Sequence, residues 1–95
     1  MGNMAKRKRS KLEVYLDVLR AVNKGESKPT RIMYKTNLSW VPLQEILDFL
    51  VSQDLLREEE SSKRKEYFIT EKGKRVLAYL NGLANLLPYE VVEIQ

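Results

Sequence analysis

Apolar residues fall at helical spacing in three stretches of the chain. In the first, Leu12, Tyr15, Leu16, Leu19 and Val22 make one stripe. Ser10 with Glu13 three residues later forms a capping box that starts this helix. Asn23, Lys24 and Gly25 end it, with Gly25 suited to a left-handed cap. Thr30 is expected to cap a short second helix from Arg31 to Lys35 that turns Ile32 and Met33 inward. After the tight connection Thr36-Asn37-Leu38, Ser39 caps a third helix running to about Gln53. Its inward stripe is Leu43, Ile46, Leu47 and Leu50, and Pro42 is tolerated in its first turn.

The pattern then changes. Leu55 to Glu59, and Glu66 to Ile69 with Tyr67, Phe68 and Ile69, have strand character, and the polar stretch Glu60 to Lys65 turns one onto the other. Thr70 caps a last helix from Glu71 through Val76, Leu77, Leu80, Leu83 and Leu87, where Pro88 stops it. The fold these elements predict is mainly α with a β-hairpin wing, a winged helix-turn-helix in the order α-α-α-β-β-α. Residues 1–9 are read as a flexible basic arm and 10–95 as the domain, with a short tail after the last helix.

Charge sharpens the picture. Lys plus Arg is 17 against 13 Asp plus Glu, a net charge of +4. The excess gathers in Lys6, Arg7, Lys8 and Arg9, and again in Lys63, Arg64 and Lys65. Two basic clusters on a small basic chain point to a polyanionic partner. Cysteine and histidine are absent, which removes disulfides, the usual zinc ligand sets and the commonest general base. No glycine-rich phosphate loop and no nucleophile-base pair is present, so an enzyme is not expected and no cofactor is implied. Glu13, Asp17 and Arg20 interrupt the apolar stretch Leu12 to Val22, so neither a secretory signal nor a membrane span is expected. The expected location is the cytoplasm, on the nucleoid.

The third helix is the candidate recognition helix. With its apolar stripe inward, Val41, Glu45, Asp48 and Ser52 point outward and Gln44 lies on the flank. Gln44 can read an adenine edge, Glu45 can accept from cytosine, and Ser39 can reach a phosphate. Arg31 and Lys35, four apart, share a face suited to phosphates. Lys63, Arg64 and Lys65 form a wing tip that can reach a minor groove, or else pair with Glu58, Glu59 and Glu60 across the hairpin. Trp40 is expected in the core against the second helix, with a DNA-facing role as the alternative; Tyr34 suits core and contact equally. Leu77, Leu80, Ala84 and Leu87 follow a three-four-three spacing, a seam about two heptads long and the expected dimer interface.

The run Thr30-Arg31-Ile32-Met33-Tyr34-Lys35-Thr36-Asn37-Leu38-Ser39 resembles the signature of small basic archaeal winged-helix DNA-binding proteins. Lys11-Leu12-Glu13 and Tyr67-Phe68-Ile69-Thr70-Glu71-Lys72-Gly73-Lys74 are similar too. The resemblance implies a DNA-binding homodimer joined by the last helix, some such proteins being regulators and others chromatin-like; the expected function is double-stranded DNA binding, sequence-preferring or general, as a transcriptional regulator. In that family the last helix is long and forms an antiparallel coiled coil. Here Asn81-Gly82 weakens it and Pro88 ends it, so a compact dimer is expected, with the tail Val91, Val92 and Ile94 packed over the helix ends. The competing reading is a winged-helix module that binds protein, favoured by Glu45, Asp48 and the three glutamates of the wing; RNA in place of DNA is a third.

Overall fold

A computed structural model describes residues 9–86. Helix α1, Lys11–Asn23, starts at the capping box. The Ser10 hydroxyl accepts from the Glu13 amide at 3.1 Å, and a Glu13 carboxylate oxygen accepts from the Ser10 amide at 2.9 Å. Gly25, at φ 110°, turns the chain in a region that a side chain would strain. Helix α2, Pro29–Thr36, begins earlier than Thr30 suggests. Pro29 takes its first turn, where a missing N–H costs nothing, and Lys28 is its N-cap. Asn37, left-handed at φ 58°, closes it and turns the chain toward α3, Trp40–Ser52.

Strands β1, Leu56–Ser61, and β2, Arg64–Ile69, pair antiparallel, with Leu56 opposite Ile69, Glu58 opposite Tyr67 and Ser61 opposite Arg64. The hairpin is longer than its apolar residues indicate, and only Ser62 and Lys63 are left for the turn. Cross-strand contacts carry this polar stretch: Lys65 pairs with Glu58 at 3.4 Å, and Arg57 lies over the Phe68 ring at 5.2 Å. The far edge of β2 is tied to the domain, since the Tyr67 amide donates to the Ser27 carbonyl at 2.9 Å.

Helix α4, Glu71–Leu86, follows Thr70, whose hydroxyl accepts from the Gly73 amide and donates to the Asp54 carbonyl. Gly73 is buried where this helix meets the strand. A Cβ there would collide with the Leu55 carbonyl and stand 2.8 Å from Ile69 Cγ1. The helix runs on through Asn81 and Gly82. Arg20 holds the Asn81 side-chain oxygen, pinning α4 to α1 at the point where propensity is weakest.

Leu16, Val18, Leu19 and Val22 of α1 meet Ile32, Leu43, Leu47, Leu50, Leu56, Tyr67 and Leu77 in one core. Helix α1 packs on α2, β2 and α4 at once. That explains why Val18, off the single stripe expected from periodicity, is fully buried. Burying a large apolar side chain contributes about 1.5–3 kcal/mol, and every element supplies at least one, Tyr67 being that of β2.

Candidate nucleic-acid interface

The outward face of α3 is the one its periodicity predicts. With Leu43, Leu47 and Leu50 buried, Val41 is 63% exposed, Glu45, Asp48 and Ser52 are exposed, and Gln44 is half-buried. Ser39 is exposed and its side chain makes no capping bond to the helix.

Trp40 departs from expectation. It is 46% exposed and lies at the rim of a groove, not in the core. Ile32 of α2 and Leu43, Leu47 and Leu50 of α3 belong to the core, and Trp40 is not among its members. Tyr34, on α2, is 81% exposed and so is not core.

The groove, of about 560 Å³, runs between α3 and the wing. Trp40 and Gln44 line one wall, Arg64, Lys65 and Tyr67 the other, and Lys28, Pro29 and Thr30 close one end. Lys28, Pro29, Thr30 and Tyr67 were not among the contact residues expected from the sequence; the Lys-Pro pair at a helix start was the available signal for the first two. Tyr67 is fully buried, and its hydroxyl has no hydrogen-bond partner. Burial raises its pKa, with the Glu58 charge adding to the effect, so it remains a neutral donor.

At the wing, Lys63, Arg64 and Lys65 are all exposed. Glu58 beside Lys65 raises the pKa of that ammonium, so Lys65 is charged and partly compensated. Arg31 and Lys35 do share a face, and both reach Glu26, at 3.5 and 4.0 Å. Each remains more than half exposed.

Arg9 is not part of a loose arm. Its guanidinium bonds Asp17 at 2.8 Å and the Thr36 carbonyl at 2.8 Å, so its donors are engaged within the domain. Arg9 is thus joined to α1 and α2 by these contacts. Lys6, Arg7 and Lys8 lie outside the described residues.

The stripe expected at a dimer seam is partly taken up inside the chain. Leu77 belongs to the core at 5% exposure, and Leu80 is half-buried against it. Helix α4 leans on α1 and β2, which turns that stripe inward. The exposed apolar residues of α4 are Tyr79 at 81%, Leu83 at 44% and Leu86 at 82%. Ala84 lies within α4, and Leu87, Pro88 and the tail lie outside the described residues. Among the described residues no cluster of three or more acidic, histidine or cysteine side chains is placed to hold a metal, and no helix is long and apolar enough to cross a membrane.

The uncharacterized protein MJ0287 of Methanocaldococcus jannaschii is 38% identical over 81 residues, 84% of this chain and 78% of that protein. The crystal structure of Sso10a-2, a DNA-binding protein from Sulfolobus solfataricus, superposes with a TM-score of 0.77 at 31% identity, covering 82% of this chain and 81% of that one. The homodimeric winged helix-turn-helix DNA-binding domain Mb0332 of Mycobacterium bovis shares the fold, with a TM-score of 0.66 at 21% identity over 88% of this chain and 74% of that one. The winged helix-turn-helix family model matches residues 8–87, so this chain belongs to that family.

Proposed function

We propose that this protein binds double-stranded DNA as a homodimer and acts as a transcriptional regulator. The observation that carries the reading is the adjacency of α3 and the wing. An exposed helix face bearing Val41, Gln44 and Glu45 stands beside a hairpin bearing Lys63, Arg64 and Lys65. A helix of this width fits a major groove, and the basic hairpin fits the phosphates next to it. The printed description of Sso10a-2 as DNA-binding supports the same reading. Lys6, Arg7 and Lys8 add sequence-independent attraction ahead of the domain.

Dimerisation through α4 is supported by the exposed residues Tyr79, Leu83 and Leu86, and by the homodimeric description of Mb0332. No catalysis enters this reading, which rests on a chain without histidine, the commonest general base. Its place of work is the nucleoid, in the cytoplasm.

Fluorescence anisotropy with labelled duplexes across a salt series tests this. If each chain of the dimer neutralises about three phosphates, log affinity falls with log salt at a slope near −5. A flat response rejects the reading. A specific observation favours protein as the partner instead: Glu45 and Asp48 stand exposed on α3, where they repel phosphates. Absence of any duplex binding at low salt would select that reading.

A further inference from the structure

A second concavity, of about 460 Å³, lies between α1 and α2 and shares no residue with the groove beside the wing. Its size falls within the roughly 300–1,000 Å³ of small-molecule sites. Arg9, Arg20, Lys24 and Lys35 line it beside Asp17 and Glu26, an excess of two positive charges.

The two carboxylates are already engaged. Asp17 holds Arg9 at 2.8 Å, and Glu26 is drawn to Arg31, outside the concavity, at 3.5 Å. Arg20 Nη1 stands 4.0 Å from Asp17, and Lys35 Nζ stands 4.0 Å from Glu26. Those distances are too long for hydrogen bonds, so both nitrogens keep donors to offer. Lys24 has no side-chain hydrogen bond or ion pair among the described residues. The Asn81 side-chain oxygen accepts from both Nε and Nη2 of Arg20, which orients the guanidinium and leaves Nη1 as its open donor. The Thr36 carbonyl at the end of α2 would repel an anion, but it accepts from Arg9. Three cationic donors therefore line one concavity, and the nearest negative groups are spoken for.

Such a set selects for an anion of two or more charges, and phosphate oxygens suit an arginine fork and lysine ammonium groups alike. One phosphate group fills only a small part of the space. No aromatic side chain among the described residues lines it, so nothing there stacks on a base or ring. We propose that the concavity between α1 and α2 binds a small non-aromatic anion of the diphosphate class, held by Arg20 Nη1, Lys24 and Lys35. The bound anion bridges α1 to the end of α2 and, through Arg20 and Asn81, to α4. The same oxygens occur in a DNA backbone. The free anion is favoured because this concavity takes in neither the outward face of α3 nor the wing. The inference stands whether or not the protein binds DNA.

Inorganic pyrophosphate titrated into the full protein at constant ionic strength, followed by amide chemical shifts, is the test. Saturable shifts are expected at Ala21, Lys24, Lys35 and Thr36, with half-saturation at about 1 mM or below. The thermal midpoint is expected to rise by several degrees at tenfold that concentration, and by less in sulfate of equal ionic strength. Lys24→Ala, at an exposed side chain without contacts, is expected to keep the fold and weaken pyrophosphate about tenfold, the loss of one charge-assisted contact. Lys63→Ala, on the wing, is expected to leave it unchanged. Adenosine diphosphate is expected to bind no more tightly than pyrophosphate. The inference is overturned if the shifts spread evenly over exposed lysines, or if Lys24→Ala and Lys63→Ala behave alike. Much tighter binding of the adenosine compound rejects the non-aromatic ligand. A duplex that reproduces the shifts at Ala21 and Lys24 and displaces pyrophosphate would give the site to DNA instead.

Discussion

Arg9 Nη1 stands 2.8 Å from Asp17 Oδ2, and the same nitrogen donates to the carbonyl of Thr36 at 2.8 Å. One side chain thus links the start of α1, its middle, and the C-terminal end of α2. A cation at a helix C-terminus is favoured by the dipole and fills carbonyls that have no partner inside the helix. The pair Arg9–Asp17 is about a third exposed, so water screens it and its worth is modest.

Arg9→Ala is therefore expected to cost about 1 kcal/mol, lowering the thermal midpoint by about 4–8 °C for a domain of this size. Changing Lys6, Arg7 and Lys8 together to alanine is expected to leave the midpoint in place and weaken DNA binding on all sequences alike. Thermal melts followed by circular dichroism, beside anisotropy, separate the two. An Arg9→Ala melt identical to that of the unaltered protein would show that the contact contributes nothing.

Gly73 and Gly82 both lie in α4 and are expected to respond to alanine in opposite directions. At Gly82 a Cβ meets nothing within 4 Å, so Gly82→Ala gains helix propensity, about 1 kcal/mol. At Gly73 the Cβ collides with the Leu55 carbonyl, which is backbone and cannot swing aside. The same propensity gain is there outweighed by overpacking of about 1–3 kcal/mol. Urea denaturation of the two variants reads the signs directly; stabilisation by Gly73→Ala would mean that α4 and the strand are not in this contact.

If α4 pairs through its exposed residues, neighbouring leucines are expected to respond differently. Leu83→Glu with Leu86→Glu places charges on that surface, and light scattering is expected to show folded monomers at tens of micromolar. DNA affinity is expected to fall by about 100-fold or more, because linked sites gain from effective concentration. Leu77→Glu buries a charge in the core and is expected to unfold the domain. A folded Leu77→Glu monomer would place Leu77 at the seam instead.

Glu58 restrains Lys65 on the wing, with an oxygen 3.4 Å from its ammonium. Glu58→Gln removes that partner and one negative charge, and is expected to tighten DNA binding at low salt and steepen the salt slope. Titrations at two salt concentrations check it. Unchanged affinity would place Lys65 away from the phosphates.

Much of this protein is written in local pattern. The helix stripes, the Ser10–Glu13 capping box, the Thr70 cap and the outward face of α3 depend on residues within a few positions of one another, so spacing alone is enough to read them. The winged helix-turn-helix order follows from those elements in sequence. What tertiary structure decided concerns contacts between elements. Val18 is buried and Leu77 is drawn inward because α1 is covered from several sides, which no single-helix periodicity records. Arg9 is recruited from a basic run by Asp17 and Thr36, the latter 27 positions away. Trp40 stays outside the core that takes in Ile32 and Leu43, and lines a groove together with Arg64. Local spacing determines which face of each element is apolar, but only packing determines which of those faces find a partner and which remain open to DNA.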